Sequence, residues 1–186
     1  MRIFIALDIP GDIRSRMLQY MDRARGLAPE ARWVRKEGLH VTLKFIGEVS
    51  DLKVQEVKSS LATVKAVPFA ISLAGVGFFP SPKSPRVFWI GVKGGPTLAE
   101  LAMAVDDATH KLGIPREERA FSPHLTLARV GSSPGAQHQL RPLASVLGPE
   151  APPQFGTMTA HEFFLYQSQP QRGGSKYTKL QRFGLE

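Results

Sequence analysis

Two short segments carry the residues best suited to chemistry, His40-Val-Thr-Leu-Lys and His124-Leu-Thr-Leu-Ala, 84 residues apart. Each lies in an apolar run and each is followed by a glycine, Gly47 and Gly131. Side chains alternate along an extended strand, so His40 and Thr42 share one face while Val41, Leu43 and Phe45 take the other. His124 and Thr126 share a face in the same way, with Leu125 and Leu127 behind them. At a rise of about 3.3 Å per residue, each pair offers an imidazole and a hydroxyl about 7 Å apart, a spacing that suits one phosphate.

Opening a phosphodiester in line needs a base for the attacking water and an acid for the departing oxygen on the far side of phosphorus. Imidazole, with an ordinary pKa of about 6.5, serves either role near neutral pH. Two histidines can divide that work while threonine hydroxyls donate to the non-bridging oxygens. Arg129 is near enough in sequence to take developing charge. It lies an odd number of positions from His124, so a regular strand turns it away; it reaches the phosphate only where the strand bends or bulges. A zinc site is the competing chemistry for two imidazoles, but neither segment supplies a carboxylate or a second histidine beside the first. No metal and no other cofactor is expected.

The remaining polar candidates carry weaker cases. His110 falls near the end of a helical segment, His138 in a loose loop and His161 within an expected strand, and structural or solvated roles are assigned to all three. Phe4, Trp33, Phe45, Phe78, Phe79 and Trp89 could stack a base, although core packing is the default in strands this apolar. Lys83, Arg86, Arg172 and Lys176, on two turns, could contact phosphates along an RNA strand.

Positioning these groups requires a scaffold, and its elements are legible. Ile3, Ile5 and Leu7 alternate with Phe4 and Ala6, which suits a central strand apolar on both faces. Ile13, Met17, Met21 and Ala24 mark a helix from Asp12 that Gly26 and Pro29 end. Strands are expected at 32–35 and 39–46, then a helix capped by Ser50 with Val54, Val57, Leu61 and Val64 on one face. Strands at 69–79 and 86–92 flank a turn with three prolines, and Gly94-Gly-Pro96 opens a third helix, with Leu98, Leu101, Ala102, Val105 and Leu112 on one face. A strand over 121–130 follows. Residues 131–153 are rich in Gly, Pro and Ser, with a weak helix over 137–147 that Pro142 is expected to break. One long strand over 157–167 and a last one over 176–183 close the chain. Short, hairpin-like connections favour an antiparallel α+β arrangement over a parallel sheet.

Bulk properties agree with a polyanion-handling protein. The 186 residues fit a single domain, 1–186, and a net charge of +8, from 24 Lys+Arg against 16 Asp+Glu, makes RNA or DNA a natural partner. The absence of cysteine excludes a disulfide framework, thiolate metal sites and a cysteine nucleophile. The apolar run before Asp8 is too short for a signal-peptide core, and no stretch approaches the length of a membrane span, so a cytoplasmic protein with no membrane partner is expected.

The motifs FIALDIP, Trp33 followed by LHVTLKFIGEV, FFPSPKSPRVFWIGV, FSPHLTLARV and FFLYQSQPQRGGSKYTKL run nearly end to end. In this order they resemble the 2H phosphoesterase superfamily, and within it the bacterial and archaeal RNA 2′,3′-cyclic phosphodiesterases, also called 2′-5′ RNA ligases. The resemblance implies a bilobal α+β fold with pseudo-two-fold symmetry, two antiparallel sheets lining a central groove and helices packed outside. It implies metal-free hydrolysis of a 2′,3′-cyclic phosphate on an RNA end, tRNA fragments among the candidates, to a 2′-phosphomonoester. Reversible 2′-5′ joining is implied as a side activity, and a monomer is expected. By the same likeness His40, Thr42, His124 and Thr126 form the catalytic tetrad and Arg129 contacts the phosphate, with His40 as general acid and His124 as general base. Segment 131–153 matches no pattern of the family. Two competing readings remain, a 2′-5′ ligase or 2′,5′-oligonucleotide hydrolase using the same residues, and a non-catalytic RNA-binding module.

Overall fold

Alternation at the start of the chain builds β1 (Arg2–Leu7) of the computed structural model, which describes residues 1–186. There follow α1 (Gly11–Arg25), β2 (Arg32–Trp33), β3 (Val41–Glu48), α2 (Asp51–Leu61), β4 (Phe69–Phe79), β5 (Val87–Lys93), α3 (Gly95–His110) and β6 (His124–Arg129). The chain ends with α4 (Arg141–Leu147), β7 (Gln154–Ala160), β8 (Glu162–Gln171) and β9 (Gly174–Gly184). Two sheets result, in the orders β3-β1-β8-β9 and β2-β6-β5-β4-β7, with every pairing antiparallel. The fold is therefore α+β. Its halves are topologically alike, because β1 and β5 each lie beside the strand that carries a His-x-Thr pair.

Both faces of β1 are apolar for different reasons. Ile3, Ile5 and Leu7 enter a continuous core of 41 buried residues, whereas Phe4 and Ala6 join Phe164 and Tyr166 in a separate four-residue cluster on the other face. The main core lies behind the sheets and the small cluster lines the groove. Contacts join α1 to β7 and α3 to β3, so each half's helix braces the other half's sheet. Arg16 donates to the Phe155 carbonyl at 2.8 Å across the first of these contacts. Across the second, the Lys44 ammonium is ion-paired with Asp106 and donates to the Pro115 carbonyl at 2.9 Å. No helix is long and apolar enough to cross a membrane.

Several boundaries differ from expectation for physical reasons. The single strand expected over 157–167 is two, β7 and β8, which belong to different sheets, and His161 stands at the crossing rather than within a strand. Apolar alternation continues through that crossing, so hydropathy alone does not mark it. Pro142 does not break a helix but sits in the first turn of α4, where a missing amide hydrogen costs nothing. Leu140, Leu143 and Leu147 tuck this part of 131–153 into the core. The strand expected over 121–130 is shorter at both ends. Ser50 does cap α2, its hydroxyl accepting the Lys53 amide at 3.1 Å.

Lys44 has a side chain only 1% exposed, so its charge depends on Asp106. Asp106→Ala should lower unfolding free energy by about 3 kcal/mol, because it strands a buried cation. Adding Lys44→Met should recover much of that loss, and urea denaturation of the two variants beside the parent checks both statements.

Candidate active site

The groove is built by the same irregularity in both motif strands. In β3, Thr42 pairs with Ala6 and Lys44 with Ile5, leaving Leu43 as an extra residue. In β6, Thr126 pairs with Trp89 and Ala128 with Phe88, leaving Leu127 extra. Each bulge advances the alternation by one residue. Lys44 and Ala128 therefore turn into the core, where they are 2% and 0% exposed. Phe45 and Arg129, the next residues, come round to the face of the threonines: Phe45 pairs with Phe4, beside Ala6, and Arg129 pairs with Val87, in line with Trp89 and Gly91. The bend that Arg129 requires is present. Phe45, expected behind the motif, instead faces the groove with 56% of its surface exposed.

His40 precedes β3 and is nearly enclosed at 8% exposure, with its ring centroid 5.3 Å from Phe4, 4.8 Å from Tyr166 and 5.1 Å from Tyr177. It hydrogen-bonds the Glu37 backbone, and its Nε2 is buried with no partner in the protein. Burial pulls its pKa down to about 4, aided by the Arg14 and Lys179 charges and opposed by Asp8 and the Glu37 bond.

His124 opens β6 and is less enclosed. Its Nδ1 lies 2.8 Å from the Ser122 carbonyl, which can only accept, so Nδ1 carries the hydrogen and Nε2 is left free. Phe79 stands edge-on to this ring at 4.9 Å, and Trp89 lies 6.3 Å away. Trp89 lies flat over Gly77, where an added Cβ would come within 2.2 Å of the indole. Glycine is required there. The strands β3 and β6, one from each sheet, contact one another.

Sequence reasoning missed part of the surroundings of His40. The Asp8 carboxylate accepts the Ile9 amide at 2.9 Å, the Arg14 guanidinium at 2.7 Å and the Lys179 ammonium at 2.6 Å. Burial raises its pKa, but the Lys179 and Ile9 hydrogen bonds and the Lys179 and Arg14 charges outweigh this and leave it lowered. Burial, then the Asp8 charge, raises the Tyr166 pKa, so that phenol stays protonated. The alternating Phe164 and Tyr166 of β8 were the available signal. Asp8 and Lys179 lie 171 residues apart, and nothing local joins them.

Other candidates lie outside the two motifs. His110 meets the Ile114 carbonyl at 3.3 Å, His138 meets Arg141 at 2.9 Å, and His161 is exposed. Trp33 and Phe78 pack against Phe88, on the core side. Arg86 donates to the Gly131 carbonyl at 2.7 Å and is not a free cation of the turn, whereas Lys83, Arg172 and Lys176 are exposed. No three histidine or carboxylate side chains converge in an arrangement suited to a metal ion.

A duplicated antiparallel scaffold with one His-x-Thr strand per half defines a two-histidine phosphoesterase. The chain belongs to the LigT-like phosphoesterase family, whose model matches twice, over residues 7–89 and 90–177. It is 36% identical over 183 residues to an RNA 2′,3′-cyclic phosphodiesterase of Archaeoglobus fulgidus, covering 98% of this chain and 99% of the relative. To the RNA 2′,3′-cyclic phosphodiesterase of Escherichia coli K12 it is 33% identical over 187 residues, covering 99% and 96%. Among solved structures it is similar to Escherichia coli LigT complexed with 3′-AMP, with a TM-score of 0.80 at 29% identity over 99% of this chain and 97% of that one.

The lowered pKa of His40 has a stability consequence. Between about pH 6.5 and 4 the unfolded chain binds the proton that the folded chain refuses, so stability present above pH 6.5 is lost as pH falls through that window, by at most about 3 kcal/mol. Urea denaturation at pH 7 and pH 4.5 should show the loss, His40→Gln should reduce it, and proton NMR should place the His40 titration near pH 4.

Proposed function

We propose that this protein is an RNA 2′,3′-cyclic phosphodiesterase that opens the cyclic phosphate to a 2′-phosphomonoester by acid and base catalysis from His40 and His124. The observation that carries the reading is the pair of bulged strands that follow the two His-x-Thr motifs and contact one another, with His40 Nε2 left without a protein partner. The names of the relatives support the same substrate class.

In this mechanism the cyclic phosphate lies between the imidazoles. Thr42 and Thr126 donate to its non-bridging oxygens, and Arg129 takes charge that develops on them. His124 removes a proton from water as its oxygen attacks phosphorus; the bond to the 3′ oxygen breaks, and His40 protonates that oxygen. Burial keeps His40 neutral in the free protein, so the proton it delivers is loaded as the anionic phosphate enters and offsets the cost of burying a cation. An imidazolium formed in such a place is a strong acid. With a 5′-hydroxyl in the position of water, the same steps join two RNA ends through a 2′-5′ bond, and reversal cleaves it.

Incubation with a nucleoside 2′,3′-cyclic phosphate in EDTA should yield the 2′-phosphate by phosphorus NMR. His40→Ala and His124→Ala should each lower turnover about 10²- to 10⁴-fold. A 3′-phosphate product, or full turnover in either variant, would contradict the mechanism, and loss of parent turnover in EDTA would point to a metal.

A further inference from the structure

Arg32 and Arg129 are direct partners across β2 and β6. Their Cα atoms therefore stand about 5 Å apart, and both side chains leave the same face of the sheet. That face is the groove, because Arg129 aligns through β5 with Thr126 and His124. Like charges set opposite one another destabilise a sheet unless a counter-charge joins them. Six arginines of the chain, Arg14, Arg16, Arg23, Arg25, Arg116 and Arg182, are ion-paired with carboxylates. Neither Arg32 nor Arg129 is among them.

The placement of Arg32 is fixed by its neighbours. Trp33 donates its indole N–H to the Ala28 carbonyl at 2.8 Å and packs edge-on to Phe88. The Val34 amide donates to the Leu127 carbonyl at 2.8 Å. With Trp33 anchored on the core side and Val34 bonded at the bulge, alternation turns Arg32 toward the groove. Two cationic side chains thus leave neighbouring strands on one face with no carboxylate ion-paired to either, and an anion lying along them could be held by both.

We infer that Arg32 binds the phosphodiester on the 5′ side of the terminal nucleotide, and so favours a polynucleotide end over a mononucleotide. The inference rests on the phosphodiesterase reading, which places the reacting phosphate by Thr126 and Arg129; Arg32 stands one strand further out, on the sheet edge, where the next phosphate would leave the groove. Its role is that of a substrate-binding residue with no part in proton transfer.

The test compares adenosine 2′,3′-cyclic phosphate with an eight-nucleotide RNA ending in the same cyclic phosphate, for the parent, Arg32→Gln and Arg32→Lys. Arg32→Gln should lower kcat/KM about tenfold on the RNA and leave the mononucleotide unchanged. The logarithmic salt dependence on RNA should flatten by about 0.7, the share of one single-strand phosphate contact. Arg32→Lys should retain most activity on both substrates. The Tm of Arg32→Gln should equal or exceed that of the parent, since a repulsion is removed. Equal losses on both substrates, no loss on either, or a clear fall in Tm would each overturn the inference. Fluorescence anisotropy with the same RNA ending in a 3′-hydroxyl separates this outcome from the catalytic one. If the parent turns over neither substrate, the phosphodiesterase reading fails, and weaker binding by Arg32→Gln still decides in favour of Arg32, while equal binding decides against it.

Discussion

A strand presents only every second side chain to a site, and the groove depends on both motif strands breaking that rule. The extra residues Leu43 and Leu127 do so at equivalent places, directly after the threonines. Without them Lys44 would project toward the groove and Phe45 and Arg129 would be buried behind it. With them, one core-facing position follows each motif, and the following side chain rejoins the groove. The duplicated core tolerates this because the inward residue differs: Ala128 fits without compensation, whereas Lys44 needs Asp106 and the Pro115 carbonyl. The buried ion pair is a cost of the bulge in one half, balanced across the contact between β3 and α3.

Electrostatics follow from where the rings fall. The aromatic face formed by Phe4, Tyr166 and Tyr177 excludes water from His40, and exclusion disfavours its charged form. Asp8 cannot reverse this, because its carboxylate is already engaged by Arg14 and Lys179. A net positive surroundings of this kind admits an anion more readily than a proton. Within this setting the Nε2 of His40 is buried without a protein partner.

Much of this was legible in the sequence because periodicity reports burial. The two-faced apolar pattern of β1, the Ser50 cap and the paired motifs all express local rules. What escaped depends on pairing between distant strands. The return of Arg129 to the groove could be stated as a condition but not decided, because a bulge is defined by the partner strand, here Phe88 and Trp89 of β5. Phe45 was assigned to the wrong face by the same parity rule. The break at His161 was hidden because both flanking strands keep their apolar alternation while entering different sheets. Asp8 and Lys179 meet only after β8 and β9 close beside β1.

Pseudo-symmetry gives the two histidines one geometry and two environments. Both stand at the start of a bulged strand, two residues before a threonine, and both engage a nearby backbone group through one side of the ring. Around His40 the facing strands β1, β8 and β9 supply aromatic rings that close over it, while His124 has Phe79 at its edge and is more open. That closure is what lowers the pKa of His40. Duplication supplies one His-x-Thr segment to each half, and divergence of the flanking aromatics gives the two rings unequal enclosure. The first is a property of the backbone register; the second resides in the side chains of β1, β8 and β9.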